Sequence, residues 1–368
     1  MMGEFHSERR FVLPLQYQSQ GFDFDQWFQL FTLCLAPLVL HLATGIPEPT
    51  ILYGDGPGWW DRLPLFNPVS IVWRYLAIAD RRCRAKSWDE CDMAASNAAF
   101  WIRRKWNGSE ALLSTSRSWI TRKPASTKVH LLSASALSAI GLTAQGVNAV
   151  VYVSKGSPEA LNMAFYYFAL LSLVRLSSAA WLTNDYAFCY SEAPKDEEVS
   201  PRPVANHLPS HSQWLMMELP TNSSGTRQEN KEGQQRFAET NSLSGRTFRV
   251  FWMLITITMF SFSTQGIGRH IFWSNQNRAV TVTAVIERFF AWMIAAGWMG
   301  THGFYVVQGQ NTSTLLPCLQ HTWYKVYTCS LILAAVLVLA FSSVETHACV
   351  SGGKYFYTTY SCDVAHPY

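Results

Sequence analysis

The sequence predicts an all-α membrane protein: a multi-pass transmembrane helical bundle of about six spans, with amphipathic helices in its first loop. Three observations carry this expectation. Six stretches, 27–46, 129–153, 161–182, 248–268, 284–307 and 322–344, are apolar and reach or exceed the ~20 residues a helix needs to cross ~30 Å of hydrocarbon. Two long polar connections separate them, so a mean hydropathy of +0.02 averages two unlike kinds of chain. Aromatic residues make up 14%, with 15 Trp, and the amphipathic rings of Trp and Tyr favour bilayer interfaces. A net charge of +4 is too small to suggest a nucleic-acid partner.

Residues 1–26 form an N-terminal tail. Arg9 and Arg10 are followed by Asp23 and Asp25, and Pro47-Glu48-Pro49 stands where a small-residue cleavage site would be. The first span, 27–46, is therefore expected to be retained as a helix rather than removed as a signal. Its Pro37 is tolerable in a membrane helix that packs against neighbours.

The first loop, 47–128, is basic and rich in Trp (Trp59, Trp60, Trp73, Trp88, Trp101, Trp106 and Trp119). Asn67-Pro68 reads as a cap and a helix-starting proline, after which Val69, Val72, Trp73, Leu76 and Cys83 recur on one face. A second helix is expected from Ser87, with Ser87 and Glu90 as a capping box. Trp88, Cys91, Ala95, Ala98 and Ile102 would line one side, and Arg103-Arg104-Lys105 would close it where the dipole is negative. A third, weaker helix is expected over 109–120. Basic helices rich in Trp can lie flat on a membrane surface, so residues 67–106 are expected to meet the anionic inner leaflet. The alternative is a small subdomain packing the same faces on itself. The stretch 67–98, NPVSIVWRYLAIADRRCRAKSWDECDMAASNA, resembles a recurring segment of uncharacterised multi-pass membrane proteins of filamentous fungi. That resemblance implies an integral membrane protein and supplies no activity.

Spans two and three, within 129–182, lead to a second long loop at 183–247. Its middle is polar, with Pro194 to Glu198, Pro201, Pro203 and Pro209, and it is expected to be disordered. One apolar island, Trp214 to Leu219, could meet a protein partner. Spans four to six follow within 248–344, then a C-terminal tail at 345–368. Most Lys and Arg outside the spans fall in the first and third connections, which places these in the cytoplasm and both termini outside or in a lumen. The bilayer would be the plasma membrane or an endomembrane. The sequons at Asn107, Asn222 and Asn311 fall on that cytoplasmic side, where they would stay unmodified.

Polar residues inside spans are costly and rarely idle. Gln145, Asn148, Asn162, Gln265 and Glu287 come out at similar depth in the outer leaflet. Thr143-Ala144-Gln145-Gly146 rhymes with Ser263-Thr264-Gln265-Gly266, a hint of internal repetition of the kind transporters use. The layer could bind a solute in an outward-facing vestibule, or merely hold helices together by hydrogen bonds. Arg175 lies nearer the inner face, at a depth comparable to His302, which makes a pair between them conceivable. In the tail, Cys349 and Cys362 flank Ser351-Gly352-Gly353, and an oxidising compartment would let them close a disulfide.

Catalytic signals are missing. The chain has no HExxH, no G-x-S-x-G and no phosphate-cradling glycine loop, so no catalytic residue, metal or cofactor is assigned and an enzyme is not favoured. The expected function is a small-solute transporter or channel-like protein. The alternative is a non-catalytic membrane scaffold or sensor acting through its cytoplasmic loops.

Overall fold

The computed structural model describes residues 11–12, 45–53, 55–130, 133–154, 173–189, 236–271 and 280–345. The described chain is mostly helical, and it also contains strands the sequence reading did not anticipate. In order the elements are β1 (Phe11–Val12), β2 (Pro49–Tyr53), α1 (Trp59–Arg62), α2 (Pro68–Arg84), α3 (Glu90–Asn97), β3 (Ala99–Ile102), β4 (Lys105–Asn107), α4 (Ala111–Ser116), β5 (Ile120–Arg122), α5 (Ala134–Ser154), β6 (Ala187–Phe188), α6 (Leu243–Ile271), β7 (Val280–Thr281), α7 (Val282–Val307) and α8 (Thr322–Glu345).

Helices α6, α7 and α8 run 29, 26 and 24 residues, or about 36 to 44 Å at the usual rise. They cover the last three expected spans, and α5 covers most of the second. Among the described residues, however, no helix is long and apolar enough to cross a membrane. The first span up to residue 44, most of the third and the Trp214 island lie outside the described residues.

The larger correction concerns the first loop. Asn67 caps α2 as expected: its Oδ1 accepts from the Val69 amide at 2.9 Å, with Pro68 opening the helix. Yet α2 does not show one apolar face to a surface. Fourteen of its 17 residues are buried, including Arg74, Asp80, Arg81 and Arg84, while Cys83, expected on the covered face, is exposed. The helix sits within the main core beside α6 and α7, its Val72, Trp73, Leu76 and Ile78 in one buried cluster with Trp252, Ile294 and Trp298. The covering is protein, so this helix's apolar side is not open to a leaflet.

The second expected helix is real but shorter and shifted. Asp89, not Ser87, caps it: Asp89 Oδ1 accepts from the Asp92 amide at 3.0 Å and Asp92 Oδ2 from the Asp89 amide at 3.1 Å, the reciprocal arrangement that satisfies two free donors. The chain leaves helix after Asn97, and Ala99–Ile102 is buried along its whole length. A run buried on both faces carries no alternation to announce a strand. This β3 pairs in parallel with β2 (Pro49 opposite Ala99) and antiparallel with β4 (Trp101 opposite Trp106). Arg103 and Arg104, expected to end a helix, are the two-residue turn of that hairpin. A satellite core of Leu52, Ala95, Phe100, Leu112, Leu113 and Phe237 fills the space between this sheet, α3 and α4.

Candidate functional site

The structure gathers the first (47–128), third (183–247) and fifth (308–321) connections between the expected spans, where described, at one end of α6–α8. The Gly108 carbonyl accepts from the Thr314 amide at 3.0 Å, Gln320 donates to the Trp106 carbonyl at 3.0 Å, and Ala238 donates its amide to the Arg84 carbonyl at 2.8 Å. Cys189 does the same to Trp119 at 2.8 Å. The result is a folded cap of three connections far apart in sequence.

The C-terminal half of α2 locks it. Arg81, fully buried, donates to the carbonyls of Gly108 (2.6 Å) and Thr312 (2.7 Å) and to Ser96 Oγ (3.2 Å). Arg84 pairs with Asp80 one turn back at 2.9 Å and with Glu110, and reaches the Ala238 carbonyl at 3.2 Å. Asn311 donates its amide to Asp80 Oδ2 at 2.9 Å. Burial holds the Asp80 carboxyl above the usual carboxylate range, the Arg84 guanidinium offsetting it only in part; burial also pulls Arg81 down to about 10. Arginine suits this work because its planar fork holds several acceptors at once and stays charged when desolvated. Gly108 is required here: a Cβ would stand 2.8 Å from both the Leu315 amide nitrogen and Thr314 Oγ1.

A second charged group lies nearer the surface. Asp89 and Asp92 each bind both Arg117 and Arg236, at 2.6 to 3.0 Å. Arg236 brings the end of the third connection against α3. Burial acts to raise the Asp89 carboxyl, but the helix amide and the two guanidinium groups outweigh it and hold it at about 2. A carboxyl depressed in the folded state stabilises above its unfolded value of ~3.9 and loses that contribution as pH falls towards its folded value. Exchange protection of the Ala238 amide, corrected for intrinsic rate, is therefore expected to hold from neutral pH to about pH 4 and to decay between there and pH 2. Decay already near pH 6 would mean other groups hold this segment.

Deeper, His302 is fully buried among Trp73, Trp252 and Trp298, with ring centroids 5.1 to 5.7 Å away. Trp252 Nε1 donates to its Nδ1 and its Nε2 faces the Val69 carbonyl, both at 3.0 Å. This fixes a neutral ring with the proton on Nε2. Both nitrogens are thereby engaged, which leaves none for the expected Arg175 partnership. Arg175 is buried instead with its guanidinium 5.9 Å from the Tyr75 ring. Arg74, on the same helix, donates to the carbonyls of Gly45 (2.8 Å) and Asn97 (2.9 Å).

Of the five vestibule residues, Gln145 and Asn148 sit in α5, Gln265 in α6 and Glu287 in α7. Their side chains lie outside the described residues, as do Asn162, Cys349 and Cys362 altogether. A cavity of about 10 Å³ lined by Gly45, Ser70, Arg74 and Leu316 has room for a water molecule only. No group of His, Cys, Asp or Glu among the described residues could hold a metal ion. The sequon residue Asn311 is fully buried with its amide committed to Asp80, so it carries no glycan in this fold. Asn222 lies outside the described residues.

The locking residues escaped the sequence reading because a charged residue in a loop is usually a solvated one. A signal was present in α2: Arg74, Asp80, Arg81 and Arg84 share one side of the helix at three-, four- and seven-residue spacing, and that stripe carries both signs of charge, with Asp80 and Arg84 already paired one turn apart. No protein-family model, curated protein or solved structure matches the chain.

Proposed function

We propose that the chain is a multi-pass integral membrane protein of the plasma membrane or endomembranes, whose odd-numbered connections form a rigid cap on the cytoplasmic side, and that it acts there as a non-catalytic scaffold or sensor. The observation that carries this is the pairing of a charge-locked cap with bare apolar flanks. Val250, Phe251, Leu254 and Ile257 on α6, Phe304 and Val307 on α7, and Val326, Leu333 and Val336 on α8 are all exposed and recur at the three- and four-residue spacing of one helix face. Exposed apolar surface repeated on three helices calls for a covering, and a bilayer is the covering this reading supplies. An arrangement in which connections one, three and five share an end is also what alternating spans require. Resemblance to fungal multi-pass membrane proteins points the same way.

A small-solute transporter or channel-like protein is the second reading. It is favoured by Gln145-Gly146 and Gln265-Gly266, each towards the far half of a long helix, with Asn148, Asn162 and Glu287 as further polar positions.

Alkaline carbonate extraction of native membranes is expected to leave the chain in the pellet. Cys83 and Cys189, both exposed on the cap, should react with an impermeant thiol reagent only after permeabilisation. Release into the supernatant overturns the spanning reading, and labelling of these two cysteines in intact cells reverses the orientation. Deletion of 190–235 should deplete co-purifying proteins while Gln145→Leu with Gln265→Leu leaves them unchanged; the opposite pattern favours transport.

A further inference from the structure

The β3–β4 hairpin has a tip its own sequence opposes. Arg103 and Arg104 lie at φ +49° and +62°, the left-handed region that a two-residue hairpin loop of this kind demands at both positions. Asn-Gly is the usual solution, because residues with a bulky side chain are strained there. Two consecutive arginines meet the geometry at a cost in stability, and such strain collects where a side chain is needed for its chemistry.

The tip is placed beside an aromatic rim. Trp106, next to Lys105, donates its indole to the Asp61 carbonyl at 2.9 Å, and its own carbonyl holds Gln320 just ahead of α8. Lys325 binds Asp61 at 2.7 Å and stands 5.9 Å from the Trp60 ring. Around this joint Trp59, Phe66 and Trp323 are exposed, and Trp323 is followed on α8 by the exposed apolar positions Val326 and Leu333. Among the described residues of 55–66 and 99–107, the exposed cations are Arg62, Arg103, Arg104 and Lys105 and the exposed carboxylate is Asp55, whose backbone carbonyl accepts from the Trp101 indole. Lys325 and Asp61 already neutralise each other. A band of Trp with arginines beside it, at the edge of an apolar helix face, has the composition of a membrane interface: rings at headgroup level and guanidinium groups on phosphate.

We propose that Arg103, Arg104 and Lys105, with Arg62 and the rim of Trp59, Trp60 and Trp323, grip the headgroups of anionic lipids. The inference rests on the membrane-spanning reading and adds a lipid site at a stated place. The arginines hold phosphate in bidentate fashion, the strained turn keeps them projecting, and the tryptophans set the depth.

The test uses the full chain in neutral detergent, with phosphatidylserine or phosphatidylcholine added and bound lipid counted by native mass spectrometry. The unaltered chain should retain phosphatidylserine over phosphatidylcholine, by roughly fivefold for each cation engaged. Arg103→Asn with Arg104→Gly should lower that preference at least tenfold while its melting temperature stays level or rises, since the turn is relieved. Arg103→Lys with Arg104→Lys should keep most of the preference. An unaltered chain without preference, or an Asn-Gly variant that keeps it, overturns the proposal. Carbonate extraction of the same variants separates the two readings: a chain that stays in the membrane without lipid preference sinks the lipid site alone.

Discussion

Asp80→Ala is expected to lower stability by about 3 to 5 kcal/mol, the cost typical of removing one partner from a buried ion pair. The carboxylate is fully buried and carries two loads at once, Arg84 and Asn311. Without it, Arg84 keeps Glu110, which is itself partly exposed, and the Asn311 amide loses its acceptor. The desolvation of Arg84 is still incurred while half of its compensation is gone. Since Asp80 joins α2 to the connection after α7 through Asn311, and Arg84 joins it to Glu110 and Ala238, the loss should loosen the cap as a unit. The measurement is thermal unfolding of the purified chain with protease sensitivity around 308–321 as a local readout. Asp80→Leu combined with Arg84→Met should recover a substantial part of the loss, because no charge is then left buried alone. A single substitution that costs less than about 1 kcal/mol would place the lock elsewhere.

What could be read in advance divides along physical lines. The start of α2 was legible because Asn67-Pro68 is a local device whose chemistry sits within three residues. The long helices α6, α7 and α8 were legible because they are sustained apolar runs. The Asp89–Asp92 box was two residues from its expected place, since Ser87 and Glu90 offer the same chemistry. The end of α3 was missed because Ala98 to Ile102 satisfies a helical pattern and a buried strand equally well, and only pairing with Pro49–Tyr53 decides for the strand. The burial of α2 was missed for a different reason. Arg81 is acceptable inside the protein only because Gly108 and Thr312 present carbonyls to it, and these lie 27 and 231 residues away. Partners at that separation leave no trace in a local window. The candidate site was legible even less: His302 was read as a polar residue inside a span and the structure buries it, but its partners Trp252 and Val69 could not be told from Arg175 by depth alone.

Trp73→Ala should be at least as damaging, at about 3 to 5 kcal/mol for a large aromatic truncated in a packed core. Trp73 is fully buried, with ring centroids 4.9 Å from Trp252, 5.1 Å from His302 and 6.2 Å from Tyr305. Its indole donates to the Ser313 carbonyl at 3.0 Å. One side chain thus touches α6, α7 and the connection leading to α8, and its removal opens a void where three elements converge. Trp73→Phe divides the effect into its parts: it restores most of the aromatic volume but leaves the Ser313 carbonyl without its donor, so it should cost about 1 to 3 kcal/mol. The ordering matters more than either figure, because packing and hydrogen bonding predict different ones. If the Phe variant is as unstable as the Ala variant, the indole hydrogen bond holds the cap to the helices. If Phe is nearly neutral, the ring contacts with Trp252 and His302 hold it. The Phe variant expected here falls between, since the same residue fills the core of α2 and fastens the 308–321 connection over it.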